Sequence, residues 1–296
     1  MRRRFCTSGA AREAWATVAQ IEQLSPTTTK LRLRVDAAER EQHARLPFTF
    51  APGQWVDFYI PPPIDKVGGY TITSLPEELP HLDLAVKASA HPPAAWCTTR
   101  AAVGDRVALR VGGSFVLQKR HDAALFVAGG VGVNPLYSML RALSADADDA
   151  ARTPPRRAAL LYTAPTHEEL LFKSELEELA RRRPQHTRIW LGATREADAP
   201  PPPPGGASAS GTLAGRIGEP ELETALRWLG CEPNAMRSGR GVPWMAGSRA
   251  REPGTASGGC GAALGAYVCG PPRMTDEMVA ALRRMGVEHV YSEKWW

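Results

Sequence analysis

The feature that most constrains the fold is a change of hydrophobic rhythm near His121. From Trp15 to about Val116 the apolar residues fall in short runs of period two, "KLRLRV", "QWVDFYI", "LDLAVKAS" and "RVALRVGG", punctuated by proline and glycine. Runs of that kind bury one face each and predict an antiparallel barrel or sandwich. Beyond His121, apolar strands alternate with helical segments: "AALFVAGG", "PLYSMLRALS", "RAALLYTA", "EELLFKSELEELARR", "TRIWLGAT", "PELETALRWLG", "AYVCG", "MTDEMVAALRRMG" and "HVYSEKWW". That alternation predicts a parallel sheet covered by helices. Leu176, Leu179 and Ala180 share one helix face, and Met274, Met278, Leu282 and Met285 another, so these methionines are read as core.

A chain of 296 residues, 43% of them hydrophobic, can bury two cores. The expected domains are a barrel over 13–120 and an α/β domain over 121–296. Two segments stand outside this pattern. Residues 197–211 form a proline run followed by small residues and read as a surface loop. Residues 231–265 have no sustained period and read as an insertion in a helix-to-strand connection that normally takes about 2 to 6 residues.

A formal charge of +5, with basic residues scattered among acids, argues against a dedicated nucleic-acid binder. The five cysteines are widely separated, with no spacing that suggests a metal site, a cluster or a disulfide framework. A reducing compartment follows, with Cys231 and Cys260 as bystanders. No apolar window approaches the roughly 18 residues of a membrane span. Residues 1–12 carry Arg2, Arg3, Arg4 and Arg12 and no acid. They suit a mitochondrial presequence, and equally a plain basic terminus of a cytoplasmic protein.

The stretch "LFVAGGVGVNPLYSML" places Gly129, Gly130, Val131, Gly132, Val133 and Pro135 between a strand and a helix. Glycine there serves either a tight turn or a phosphate approaching the backbone at a helix start. A second turn, "CGPPRM", follows a later strand and brings Cys269, Gly270 and Pro271 to the same expected crevice. Cys269 there either packs as a structural cysteine or lies against a flat reacting ring. In the first domain, Tyr70, Thr71, Thr73 and Ser74 offer an aromatic face and hydroxyls to a heteroatom-rich ring. "HPPAAW", with Pro92 or Pro93 opening a helix, is expected to leave free amides for a diphosphate.

With "PGQWV", "YTITS", "AGGVGVNPLYSML", "LLYTAPTHEELLFKSEL", "YVCGPPRM" and the terminal "SEKWW" in this order, the chain resembles the ferredoxin NADP reductase superfamily over nearly its whole length. The resemblance implies an antiparallel flavin-binding barrel followed by a parallel-sheet nicotinamide nucleotide-binding domain. It implies FAD and NAD as cofactors, with hydride passing from NADH to flavin and electrons on to an acceptor of unassigned identity, a protein among the candidates. Tyr70 would stack on the flavin, Thr71 would bond near its N5, Cys269 would line the hydride path, and Trp295 or Trp296 would cover the flavin face. The superfamily's pyrophosphate-binding arginine falls at Gly68, leaving Lys66, Lys87 or Arg100 to compensate. Where the superfamily's NADP-preferring members carry basic residues, "YTAPTHEE" offers Pro165 and the acids Glu168 and Glu169, which favours NADH over NADPH, with Arg195 the one opposing cation. The alternative to an enzyme is a nucleotide-binding sensor or scaffold without turnover. No metal is called for.

Overall fold

The computed structural model of the chain describes residues 13–36, 48–146, 157–196, 210–231 and 264–295. The basic segment 1–12, most of the 197–211 loop, the interior of the 231–265 insertion, Cys260 and Trp296 lie outside the described residues. The chain divides into two compact units. The first comprises the described residues up to Leu117 together with Tyr137–Ala142; the second comprises Gln118–Leu136 and the residues from Leu143 onward.

The first unit contains β1 (Glu13–Ser25), β2 (Thr28–Val35), β3 (Trp55–Tyr59), β4 (Val67–Thr71), β5 (His81–Lys87), α1 (Pro92–Thr99) and β6 (Arg106–Gly112). Its six strands are antiparallel in the order β4-β3-β6-β1-β2-β5. In β2, Leu31, Leu33 and Val35 are buried while Arg32 and Arg34 face outward, as period-two burial requires. The inward residues meet Val56, Phe58, Leu82, Leu84, Val107 and Leu109 in one core.

The sheet curls until its ends touch, through a single bridge between Ile72 and Leu84. Asp83 organises this closure. Its carbonyl accepts the Thr73 amide at 2.9 Å and the Thr73 hydroxyl at 3.1 Å, and its amide donates to Ser74 Oγ at 3.1 Å. Its carboxylate accepts two hydrogen bonds from Arg32, both 2.8 Å, from the facing position on β2.

The second unit contains β7 (Ala123–Gly129), α2 (Val133–Asp146), β8 (Arg157–Ala164), α3 (Lys173–Arg182), β9 (Thr187–Ala193), β10 (Ser210–Thr212), α4 (Glu219–Trp228), β11 (Leu264–Gly270), α5 (Pro272–Arg284) and β12 (His289–Lys294). All neighbouring strands are parallel, in the order β10-β9-β8-β7-β11-β12. Strands β7 and β11 are buried along their whole length, and β8 is buried from its second residue on, because helices cover both faces of a parallel sheet. Met278, Leu282 and Met285 of the α5 region are buried in this core and Met274 packs against it. The expected helix beginning near "EELLFK" starts only at Lys173, because Phe172 takes a left-handed conformation, φ 57°, and breaks the run before it.

Cys231 is a correction. It is buried and disulfide-bonded, not a bystander. Disulfide formation depends on proximity in space, which separation along the chain does not report. No helix of the described residues is long and apolar enough to cross a membrane.

The middle of α2 belongs to the first unit, where Arg141 donates to Glu78 Oε2 at 2.9 Å and to the Thr73 carbonyl at 3.3 Å. Burial pushes the Glu78 carboxyl up, but hydrogen bonds from Arg141 and the Leu75 amide outweigh it and leave the group below its usual value. A carboxyl depressed by folding contributes stability above its unfolded pKa and loses it as pH falls through the folded value. The pair is partly exposed, so Glu78→Gln should cost only about 0.5–1 kcal/mol at pH 7. Urea titrations from pH 7 down to pH 3 should show the wild type and Glu78→Gln converging in stability on the acid side; a constant gap would contradict this assignment.

Candidate functional site

In the second unit the chain runs outward from β7 through β8, β9 and β10, then returns to the other side of β7 as β11 and β12. The carboxyl ends of β7 and β11 therefore flank the point where strand order reverses, the usual place for a ligand crevice in an open parallel sheet. The turns expected to form the site, Gly129–Gly132 after β7 and Gly270–Pro272 after β11, are the two that meet there.

The three glycines of the first turn have different reasons to be glycine. A Cβ on Gly132 would collide with the carbonyl of Cys269 and lie 2.7 Å from the Gly270 Cα, so the turns touch backbone to backbone. A Cβ on Gly129 would run into Met274 and come within 3.0 Å of Pro271. Gly130 has left-handed φ 54°, with nothing within 4 Å of where its Cβ would be. Two of the glycines serve packing, and the open one faces free space at the start of α2.

Gly130–Gly132 form a short 3-10 turn, with the Val133 amide donating to the Gly130 and Val131 carbonyls. Val133 and Pro135 are buried and Val131 is half-exposed. The second turn is held by Thr275, whose hydroxyl donates to the Gly270 carbonyl at 3.1 Å and whose amide donates to Pro271 at 3.0 Å. The Trp295 amide also donates to the Gly270 carbonyl, at 3.1 Å. Sequence reading did not single out Thr275; its one signal is a hydroxyl four residues past a proline turn. Trp296 is outside the described residues.

Cys269 is fully buried, and burial together with the nearby Glu293 carboxylate keeps its thiol well above the ordinary value. It is a neutral thiol at physiological pH, unsuited to nucleophilic attack. At the ends of β8 and β9, Glu196 accepts the His167 amide at 3.0 Å, and the amides of Thr194 and Arg195 donate to Ala164 and Pro165. Glu168 and Arg195 are exposed there. Glu196, beside Arg195 in "GATRE", is a further acid that sequence reading passed over.

In the first unit, Tyr70 lies on the Phe58 side of β4, ring centroids 5.5 Å apart at 69°. Its ring leans over Gly68: a Cβ there would sit 2.5–2.7 Å from Tyr70 Cε2, Cζ and Oη. The Tyr70 hydroxyl is buried beside the Cys97 thiol, and burial, with that thiol's added effect, raises its pKa. Beside it, burial pushes the Cys97 thiol up to about 12. Thr71 is 4% exposed and pairs with Trp55 across β3. The hydroxyls of Thr73 and Ser74 are those that close the barrel on Asp83.

The start of α1 differs from expectation. Both Pro92 and Pro93 occupy its first turn, Pro93 buried, so two first-turn positions have no N–H. The Ala95 amide donates to the His91 carbonyl at 3.0 Å, leaving Ala94 as the one first-turn amide without an intrahelical acceptor. The expected row of amides for a diphosphate is therefore reduced to one. The aromatic face of Tyr70 fits a flat flavin ring. The amide-poor helix start and the filled Gly68 position do not fit a diphosphate.

The model for the oxidoreductase NAD-binding domain matches residues 126–201. The chain is 32% identical over 285 residues to oxidoreductase NAD-binding domain-containing protein 1 of Danio rerio, covering 92% of this chain and 89% of that protein. It is 31% identical to the Homo sapiens protein of the same name, covering 92% and 76%. Among solved structures it is similar in fold to the Amycolatopsis cytochrome P450 reductase GcoB, with TM-score 0.63, 21% identity, and coverage of 96% of this chain and 69% of that one. It is equally similar to the cytochrome b5 reductase domain of Ulva prolifera nitrate reductase, with TM-score 0.63, 20% identity, and coverage of 96% and 97%.

The glycine geometry separates two substitutions. Gly132→Ala should destabilise the protein by about 2 kcal/mol or more, because backbone must yield to the new Cβ. Gly130→Ala should cost about 1 kcal/mol for its left-handed conformation and weaken NADH binding. Thermal melts and calorimetric NADH titrations of both variants check this; the reverse order of destabilisation would refute it.

Proposed function

The chain belongs to the oxidoreductase NAD-binding domain-containing protein 1 family, and from that premise we propose that it is an NADH-dependent flavin oxidoreductase. The observation that carries the nucleotide part is the open, left-handed Gly130 at the head of the parallel sheet. Amides of Gly130, Val131 and Gly132 and the start of α2 would face the nucleotide phosphates, with Pro135 fixing the first turn of the helix. Gly270 and Pro271, held by Thr275, would border the nicotinamide. Cys269, neutral and compact, would shape the space beside it without taking part covalently.

In the first unit Tyr70 and Thr71 would orient the flavin ring, with Thr73, Ser74 and Pro93 as the frame behind them. When bound, a flavin supplies acceptance of a hydride and release of electrons to a further acceptor. The solved reductases of similar fold support this reading of the barrel. A binding protein without turnover is the second reading, favoured by the commitment of Thr73 and Ser74 to Asp83 and by the amide-poor start of α1. Residues 1–12, by their arginines and lack of acid, support a mitochondrial address and a plain basic terminus equally.

Glu168, Glu169 and Glu196 would repel the extra phosphate of NADPH, so NADH should bind at least about ten-fold more tightly, a difference of about 1.4 kcal/mol. Calorimetry with both nucleotides tests the preference. Loss of NADH absorbance at 340 nm on anaerobic mixing with protein and flavin tests turnover. Binding of NADH with no oxidation above the protein-free rate would replace the enzyme with the sensor.

A further inference from the structure

The turn that carries β11 into α5 contains two residues without an amide proton, Pro271 and Pro272, so its path is fixed through carbonyls. The Gly270 carbonyl is the first of these. Both of its lone pairs are engaged, one by the Thr275 hydroxyl at 3.1 Å and one by the Trp295 amide at 3.1 Å. The Pro271 carbonyl is the second, and it accepts the Thr275 amide at 3.0 Å as the helix opens. Thr275 alone grips both peptides of the turn.

The grip has a consequence because the turn has no slack on its other side. A Cβ on Gly270 would stand 3.1 Å from the Gly129 nitrogen and 3.2 Å from Gly129 Cα, while one on Gly132 would collide with the Cys269 carbonyl. Rotation of the Gly270–Pro271 peptide therefore presses on the first turn or draws away from it. Thr275 is fully buried, so its hydroxyl has no water to take in exchange for that carbonyl. The first turn keeps its own shape by other means, since the Val133 amide donates to the Gly130 and Val131 carbonyls.

Resting on the nucleotide reading of this crevice, we propose that Thr275 is a positioning residue for the nicotinamide end of the ligand. Its hydroxyl sets the angle of the Gly270–Pro271 peptide, and that peptide borders the ring. Thr275 itself touches no ligand and acts through the carbonyl it holds. The phosphate end, facing the amides of Gly130 to Gly132, does not depend on it.

Calorimetric titration of the full chain with NADH and with ADP-ribose separates the two ends, because ADP-ribose carries the same adenosine and diphosphate without nicotinamide. Thr275→Val keeps the shape of the side chain and removes the donor. It should weaken NADH about five- to ten-fold, as loss of one hydrogen bond implies, and leave ADP-ribose within about two-fold of the wild type. Thr275→Ser keeps the hydroxyl and should retain NADH affinity within about two-fold. Thr275→Cys, a weak donor of similar size, should fall between these for NADH alone, which covers the case in which the valine variant does not fold. Equal weakening of NADH and ADP-ribose in the valine or cysteine variant, NADH affinity unmoved in it, or loss of NADH affinity in Thr275→Ser would overturn the proposal while leaving a nucleotide site. Binding of neither ligand by the wild type would overturn the nucleotide reading as well.

Discussion

Backbone against backbone at the head of the parallel sheet is the contact on which the second unit depends. Gly132 meets the Cys269 carbonyl and the Gly270 Cα with no room for a methyl group. Neighbouring parallel strands diverge through twist, so their following turns meet only if one side gives up its side chains. Once they meet, Thr275 and Trp295 lock the Gly270 carbonyl, and Gly130 is left as the glycine whose freedom is spent on open space. A packing constraint thus brings the two turns together, and the left-handed Gly130 beside them has open space where a side chain would stand.

The first unit solves a different problem with similar economy. An antiparallel sheet that curls has two edges to hide, and here they join at one bridge backed by Asp83. Thr73 and Ser74, which in sequence look like cofactor ligands, are the fasteners of that seam. A hydroxyl that donates to a carbonyl can still accept, and one that accepts an amide can still donate, so structural use does not bar either from a ligand. It does fix their rotamers before any ligand arrives.

The architecture was legible because burial leaves different signatures: alternation in β2, where one face is wet, and unbroken apolar runs in β7 and β11, where neither is. The two turns were legible as glycine-rich breaks after such runs. What each glycine does was not, because Gly129 and Gly132 answer to Met274 and Cys269, more than a hundred residues away. The prolines of α1 were read as a helix start, correctly in position. Their cost in amides appears only once both are seen in the same turn. Arg141, Glu78 and Asp83 carried no local pattern, since partners brought together by folding have no spacing rule. Cys231 shows the same limit for sulfur chemistry.

The order of strands in the second sheet has a kinetic consequence. The seam of the barrel joins Thr73 to Asp83, ten residues apart, so its closure is a short-loop event. Strand β7, by contrast, finds β8 soon after synthesis but waits for β11, nearly half the chain later, to cover its other edge. Through that interval a wholly apolar strand presents unpaired amides and carbonyls, the situation in which intermolecular pairing outcompetes folding. The nascent chain is therefore most exposed to aggregation, and most dependent on chaperones, in the window that ends when β11 leaves the ribosome.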